Sequence, residues 1–128
     1  MKVLHKNNHA KLSDHLSQDE IDCKCLNEDC QHTLIHMDLV QAFERLRDAY
    51  KQPIFVSSGY RCQRHNEAVG GTRGSKHKIG MALDLRPYNP MGLDRFRDLA
   101  LGYFDMAIAY KFADANLNFI HCHTVRIG

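Results

Sequence analysis

Histidine and cysteine are the residues of this chain best suited to chemistry. The 128 residues hold nine His and five Cys and no Trp, and imidazole and thiolate are the commonest soft-metal ligands in proteins. Near the C-terminus runs Phe119-Ile-His121-Cys-His123-Thr-Val125. Side chains on a strand alternate faces, so His121 and His123 share one face while Ile120, Cys122 and Thr124 share the other. Two imidazoles side by side can share a metal, or one can bind it while the other meets substrate. Upstream lies Ser75-Lys-His77-Lys-Ile-Gly80-Met-Ala82-Leu-Asp84, with Asp84 seven residues after His77. Asp84 interrupts an apolar strand pattern, and a lone buried carboxylate is costly, so it needs a partner. A metal would supply one, with Gly80 allowing a tight turn and Ala82 leaving room. The plainer alternatives are an ion pair from Asp84 to Arg86 or Arg61, and two semi-buried strand histidines.

A second group lies earlier. Cys23, Cys25 and Cys30 cluster, His32 is close by, and Cys62 stands beside Arg61. Three readings stand side by side: a structural metal on Cys23, Cys25, Cys30 and Cys62 or His32; a disulfide pinning the N-terminal loop onto the Arg61 segment, if the protein works outside a cell; or free thiols in a small core. The spacing is not that of a clean zinc finger, and an odd cysteine count excludes a fully paired set in a monomer. Cys122 faces away from the histidine pair and reads as a core thiol. His5, His9, His15, His32, His36 and His65 show no partner at catalytic-metal spacing, and most of them read as surface groups.

These residues need elements to hold them. Residues 1–20 are polar and aperiodic and read as a flexible lead-in, with Ser17 and Glu20 marking a helix start. Met37, Val40, Phe43, Leu46 and Tyr50 recur at helical spacing, which predicts an amphipathic helix from Asp38 to Tyr50, with Glu44, Arg45, Arg47 and Asp48 on its wet side. Ile54–Ser58, Gly80–Arg86, Met106–Tyr110 and Asn118–Val125 read as strands. Arg61–Val69 reads as a short helix, and Leu93, Phe96, Ala100 and Tyr103 mark another. The last two strands are close enough for a hairpin. The order implies an α+β fold with a small, mostly antiparallel sheet flanked by helices. Residues 1–20 form a polar N-terminal segment and 21–128 a single domain.

Composition narrows the function. Apolar residues make up 44% and charged residues 25%, with a formal net charge of +2: an ordinary globular balance, too even for a dedicated nucleic-acid binder. A nucleic-acid-binding zinc protein would rest on Cys23 to His32 alone, since basic residues are not striped or interleaved with aromatics. No apolar run is long enough to span a membrane, and the N-terminus has no h-region.

The pattern Ser-x-His-x-x-Gly-x-Ala-x-Asp over residues 75–84, with His121-x-His123 and the run Ser57-Ser-Gly-Tyr-Arg61-Cys62, then His65-Asn66 and Val69-Gly-Gly71, resembles the zinc D-alanyl-D-alanine carboxypeptidase family. Phage endolysin peptidases and the Hedgehog signalling domain are relatives. The likeness runs from about Cys23 to Arg126 and implies a Hedgehog/DD-peptidase-like fold. It also implies a catalytic Zn²⁺ on His77, Asp84 and His123, with a fourth position open to water. By the same likeness Arg61 grips a substrate carboxylate, Ser75 hydrogen-bonds substrate or caps its loop, and His121 stabilises the oxyanion or shuttles protons. The chain departs from many members in having Ile120 where they place an acid. No carboxylate occurs from Ala115 onward, which favours His121 as the base over the more distant Asp114 or Asp105. The expected activity is zinc-dependent hydrolysis of peptidoglycan stem peptides, as a D-Ala-D-Ala carboxypeptidase or murein endopeptidase. The alternative is a weak or inactive zinc module of the same fold that binds a partner or wall fragment. The expected setting is a monomeric phage or prophage enzyme, made in the cytoplasm without a signal peptide and released onto the wall.

Overall fold

The computed structural model describes residues 1–124, so Val125 and Arg126 lie outside the described residues. The first twenty residues are not a flexible lead-in. Lys2–His5 (β1) pairs antiparallel with His32–Ile35 (β4), Lys2 opposite Ile35 and His5 opposite His32. Between them, Lys11–Ser13 (β2) and Leu16–Ser17 (β3) form a small antiparallel pair leading into the one-turn helix α1 (Gln18–Ile21). The helix start is capped as expected, the Glu20 carboxylate accepting the Ser17 amide at 3.1 Å. Leu16 and Ile21 are buried in the main core. Polarity misleads here because β1 leaves most of its side chains exposed and is held by its backbone ladder to β4.

Met37–Tyr50 (α2) follows, one residue longer than its apolar period predicts. It buries Leu39, Val40, Ala42, Phe43 and Leu46. Glu44, assigned by periodicity to the wet side, is half-buried: it accepts hydrogen bonds from Ser13 Oγ and the His15 amide, each at 2.6 Å, tying the β2–β3 turn to the helix. Those bonds outweigh desolvation and hold its carboxyl below the usual range. Lys51 ends α2 in the left-handed region, its amide bonded to the Arg47 carbonyl, before Pro53.

Ile54–Ser58 (β5), Gln63–Ala68 (α3), Ala82–Pro87 (β6), Leu93–Ala100 (α4), Met106–Tyr110 (β7) and Phe119–His123 (β8) complete the described elements of regular α and β structure. The four strands form one antiparallel sheet in the order β5-β6-β8-β7, with β7 and β8 paired directly. Directly opposed residues share a face. Leu83 opposes Cys122 and Leu85 opposes Ile120, building an apolar face covered by α2 and α4. Asp84 opposes His121 and Ala82 opposes His123, so the other face carries the chemistry.

Candidate metal centre

His77 sits in a short 3-10 turn, Lys76–Ile79, between α3 and β6. The Ser75 hydroxyl accepts the His77 amide at 3.2 Å, so the loop-capping role expected of Ser75 is present. The imidazole is buried, and its Nδ1 lies 2.6 Å from the Gly59 carbonyl. A carbonyl only accepts, so Nδ1 carries the proton and Nε2 is aimed into the site. In return the His77 carbonyl accepts the Arg61 amide at 3.1 Å. Two glycines make this fit. A Cβ on Gly59 would lie 2.6 Å from the Ile21 Cα, and Gly80, at φ +72°, would drive a Cβ into the Leu34 carbonyl. The Gly80 carbonyl accepts the His36 amide at 3.0 Å, which locks the turn to the end of β4.

Asp84 is almost buried, and both its oxygens are engaged. Oδ1 lies 3.0 Å from His77 Nε2 and 3.1 Å from His121 Nδ1; Oδ2 accepts from Arg61 Nη2 at 3.0 Å. Desolvation alone would raise this carboxyl. Hydrogen bonds from His121 and His77, with their charge, overcome it and hold the group at about 2. Asp84 is therefore anionic across the neutral range. With Nδ1 committed to Gly59, the Nε2–Oδ1 contact needs a cation between two acceptors, either a proton or a metal. That donor set, two imidazoles and a carboxylate, is one that zinc prefers.

On β8 the two histidines do share the site face. His121 spans it: Nδ1 reaches Asp84, and Nε2 lies 3.0 Å from His123 Nδ1. The donor atoms of His77, Asp84 and His121 all lie within 4.8 Å of one another; His123, the third ligand expected from the resemblance, is not in that group and stands beyond His121, which takes the position beside Asp84. Desolvation, then the charges of His121 and Lys76, lower the His123 pKa, favouring the neutral, metal-binding form. Cys122 is fully buried on the opposite face, its thiol directed at the Leu83 carbonyl and pushed well up by burial.

Around this cluster lies an open cleft of about 510 Å³, reached by Arg61, Ser75, His77, Asp84, His121 and His123. One wall is apolar, made by Ile108, Tyr110 and Phe119; the Tyr110 and Phe119 rings stack at 5.0 Å. The sequence reading missed this wall, although alternation back from His121 puts Phe119 on the same face. Arg61 is held by three partners: Nε to Ser58 Oγ at 3.1 Å, Nη1 to Asn66 Oδ1 at 3.4 Å, and Nη2 to Asp84. The ion pair weighed as the plain alternative for Asp84 is thus formed with Arg61. Ile120 faces the core and is fully buried. Asp105 bonds its amide to the His123 carbonyl at 3.1 Å, and its charge acts to raise the His123 pKa.

The cysteine group is also brought together. The sulfurs of Cys23, Cys25, Cys30 and Cys62 all lie within 4.8 Å of one another, and none of the five cysteines is in a disulfide. His32 instead faces His5 across β1–β4, ring centres 5.4 Å apart. One histidine read as lacking a metal-spaced neighbour has two: His15 groups with Glu44 and Asp48. That group is largely exposed, with His15 Nδ1 2.9 Å from Glu44.

An α+β fold thus carries, on the open face of its sheet, a histidine–carboxylate cluster of the kind that can hold a catalytic metal. The sequence model of the family described as Peptidase M15 matches residues 14–122, and the chain belongs to that family of zinc peptidases. A search of curated proteins finds no match. The chain is accordingly a peptide hydrolase by family. Among the described residues no helix is long and apolar enough to cross a membrane.

Proposed function

We propose that the protein is a zinc metallopeptidase that hydrolyses peptidoglycan stem peptides, as a D-Ala-D-Ala carboxypeptidase or a murein endopeptidase. The observation that carries this reading is the pair His77 Nε2 and Asp84 Oδ1, 3.0 Å apart at the floor of an open cleft, with Nδ1 fixed by Gly59. Zn²⁺ would be held by His77, Asp84 and His123, with His121 left beside it for proton handling. When bound, the ion supplies a Lewis acid and a water of lowered pKa.

The chain's own residues do the rest. Gly59 sets the tautomer of His77. Arg61 neutralises the outer oxygen of Asp84 and keeps that carboxylate turned inward; its guanidinium edge at the cleft is suited to a substrate carboxylate. His121 stands between Asp84 and His123, placed to accept a proton and return it to the leaving amine. No other carboxylate lines the cleft among the described residues. Tyr110 and Phe119 offer an apolar surface to peptide backbone and small side chains. The setting proposed is a phage or prophage enzyme acting as a monomer on the wall after release.

The test is release of D-alanine from a stem pentapeptide ending in D-Ala-D-Ala, set against its C-terminal amide and a cross-linked muropeptide. Zinc-dependent cleavage of the free acid, lost on amidation, identifies a carboxypeptidase; cleavage of the cross-link identifies an endopeptidase. Zinc binding with no turnover on any of them would favour the alternative, a weak or inactive zinc module that binds a partner or wall fragment, which the single carboxylate among the described residues lining the cleft motivates. Metal content assigns the histidines: His123→Ala should lose the ion, while His121→Ala should keep it and lose turnover. The reverse outcome would exchange their roles.

A further inference from the structure

A second cluster of donors lies outside that cleft, in the segment from Asp22 to Gln31 that joins α1 to β4. Among the described residues this segment contains no helix or strand. Leu26 is 99% exposed, and Cys23 is the segment's only apolar member in the core. It is tied at its ends, where Asp22 accepts from Asn7, Gln18 and Thr33 and the Gln31 carbonyl accepts the Lys6 amide, and the middle of the segment needs a further tie to hold one conformation. The four sulfurs supply it. Cys23 and Cys62 Sγ lie 3.7 Å apart, and Cys62 and Cys25 Sγ 3.8 Å. A tetrahedral ion with metal–sulfur bonds of about 2.3 Å places its ligands about 3.8 Å apart along each edge. A disulfide would need about 2.0 Å, and thiols packed simply as small hydrophobes would not converge four at a time on one point.

We propose that Cys23, Cys25, Cys30 and Cys62 form a closed, four-thiolate structural zinc site, separate from the catalytic ion. The surroundings suit an anionic cluster. The Cys62 amide donates to Cys23 Sγ at 3.4 Å, and the His65 amide to Cys62 Sγ at 3.5 Å. Lys6 places its ammonium 3.6 Å from Cys25 Sγ and 3.2 Å from the Cys25 carbonyl. Amide–sulfur bonds and a nearby cation offset the charge that four thiolates leave over a divalent ion. Four identical soft donors leave no open position, so the site is structural.

The site also has a mechanical consequence. Cys62 caps the start of α3 and directly follows Arg61. The Tyr60 amide bonds the Ile21 carbonyl at 2.8 Å, two residues before Cys23. The ion would clamp the loop onto Gly59-Tyr60-Arg61, the segment that orients His77 and holds Asp84. It is thus a positioning device for the catalytic centre, its ligand Cys62 three residues from Gly59.

The test is the elemental content and cobalt spectrum of the full-length chain purified with metal. Wild type should carry two equivalents of zinc. Asp84→Ala leaves every cysteine in place and should keep one, and its cobalt-substituted form should show intense sulfur-to-cobalt charge transfer with tetrahedral visible bands. Cys25→Ser with Cys30→Ser should abolish that spectrum and lower the melting temperature. Should that double variant fail to fold, the Asp84→Ala spectrum decides alone. A metal-free Asp84→Ala protein, or one whose cobalt bands lack sulfur charge transfer, overturns the proposal. So does intact-mass evidence of cysteine disulfides in the native protein. Loss of the catalytic ion alone would leave the cysteine-bound equivalent in place, so failure of the two assignments is distinguishable.

Discussion

The two donor clusters are built in opposite ways. His77, Asp84, His121 and His123 stand on a short turn and two neighbouring strands, at the floor of a cleft. Cys23, Cys25 and Cys30 stand on an irregular loop and reach Cys62 only through tertiary folding. The first sets nitrogen and oxygen donors side by side, two of them braced from behind: His77 by Gly59 and Asp84 by Arg61. The second uses four like donors and is braced by amides and Lys6. A site that must exchange water and substrate has its order supplied by the scaffold. A site that only ties chain together supplies order to the scaffold.

That contrast can be broken at several points. The largest effect is expected from Asp84→Ala, which should reduce turnover to background and remove one metal equivalent while sparing the sulfur-bound one; a peptide-release assay with elemental analysis checks both. Next, Arg61→Ala should weaken zinc affinity or kcat/KM by roughly 10–100-fold, the usual cost of losing a group that braces a ligand, with the cobalt–sulfur spectrum unchanged. Gly80→Ala should destabilise the fold by about 3 kcal/mol, since it combines a left-handed φ with a collision at the Leu34 carbonyl; denaturant unfolding measures it.

A fourth effect concerns pH in the protein stripped of its exchangeable ion. Asp84 is held at about 2 in the folded chain, below the roughly 3.9 of an unfolded Asp. Its contribution is therefore complete above about pH 4 and is lost as pH falls toward 2. On the order of 2 kcal/mol should disappear across that window. The Asp84→Asn variant should lack this component of the pH dependence of unfolding. The smallest change is expected from Cys122→Ala, about 1 kcal/mol for a small buried group, with metal stoichiometry untouched. Were Cys122→Ala to release metal, the division between core thiol and ligand thiols would be wrong.

Much of the active face was legible because strand and helix periods are local. The alternation in Phe119–His123 put both histidines on one face, and the apolar recurrence in Met37–Tyr50 placed α2 to within a residue. The N-terminal strands were not legible: β1 exposes most of its side chains, and its stability lies in backbone pairing to β4 thirty residues away. Glu44 looked solvated for a related reason, because Ser13 and His15 come to it from another element. The apolar wall of Tyr110 and Phe119 needed the β7–β8 register to appear as one surface. Cysteine spacing left a metal, a disulfide and free thiols equally open, because the approach of Cys62 to the loop is a tertiary feature that spacing does not show.

The central claim, one open ion serving catalysis and one closed ion serving structure, is tested most directly by stepwise chelation. Wild-type protein is exposed to a mild chelator while released zinc and D-alanine production are followed together. The account predicts that activity falls in proportion to the first equivalent released and returns when one equivalent of Zn²⁺ is restored, while the second stays bound until the thiols are attacked. Activity that survives loss of the first equivalent, or that disappears only when the sulfur-bound ion leaves, would contradict it.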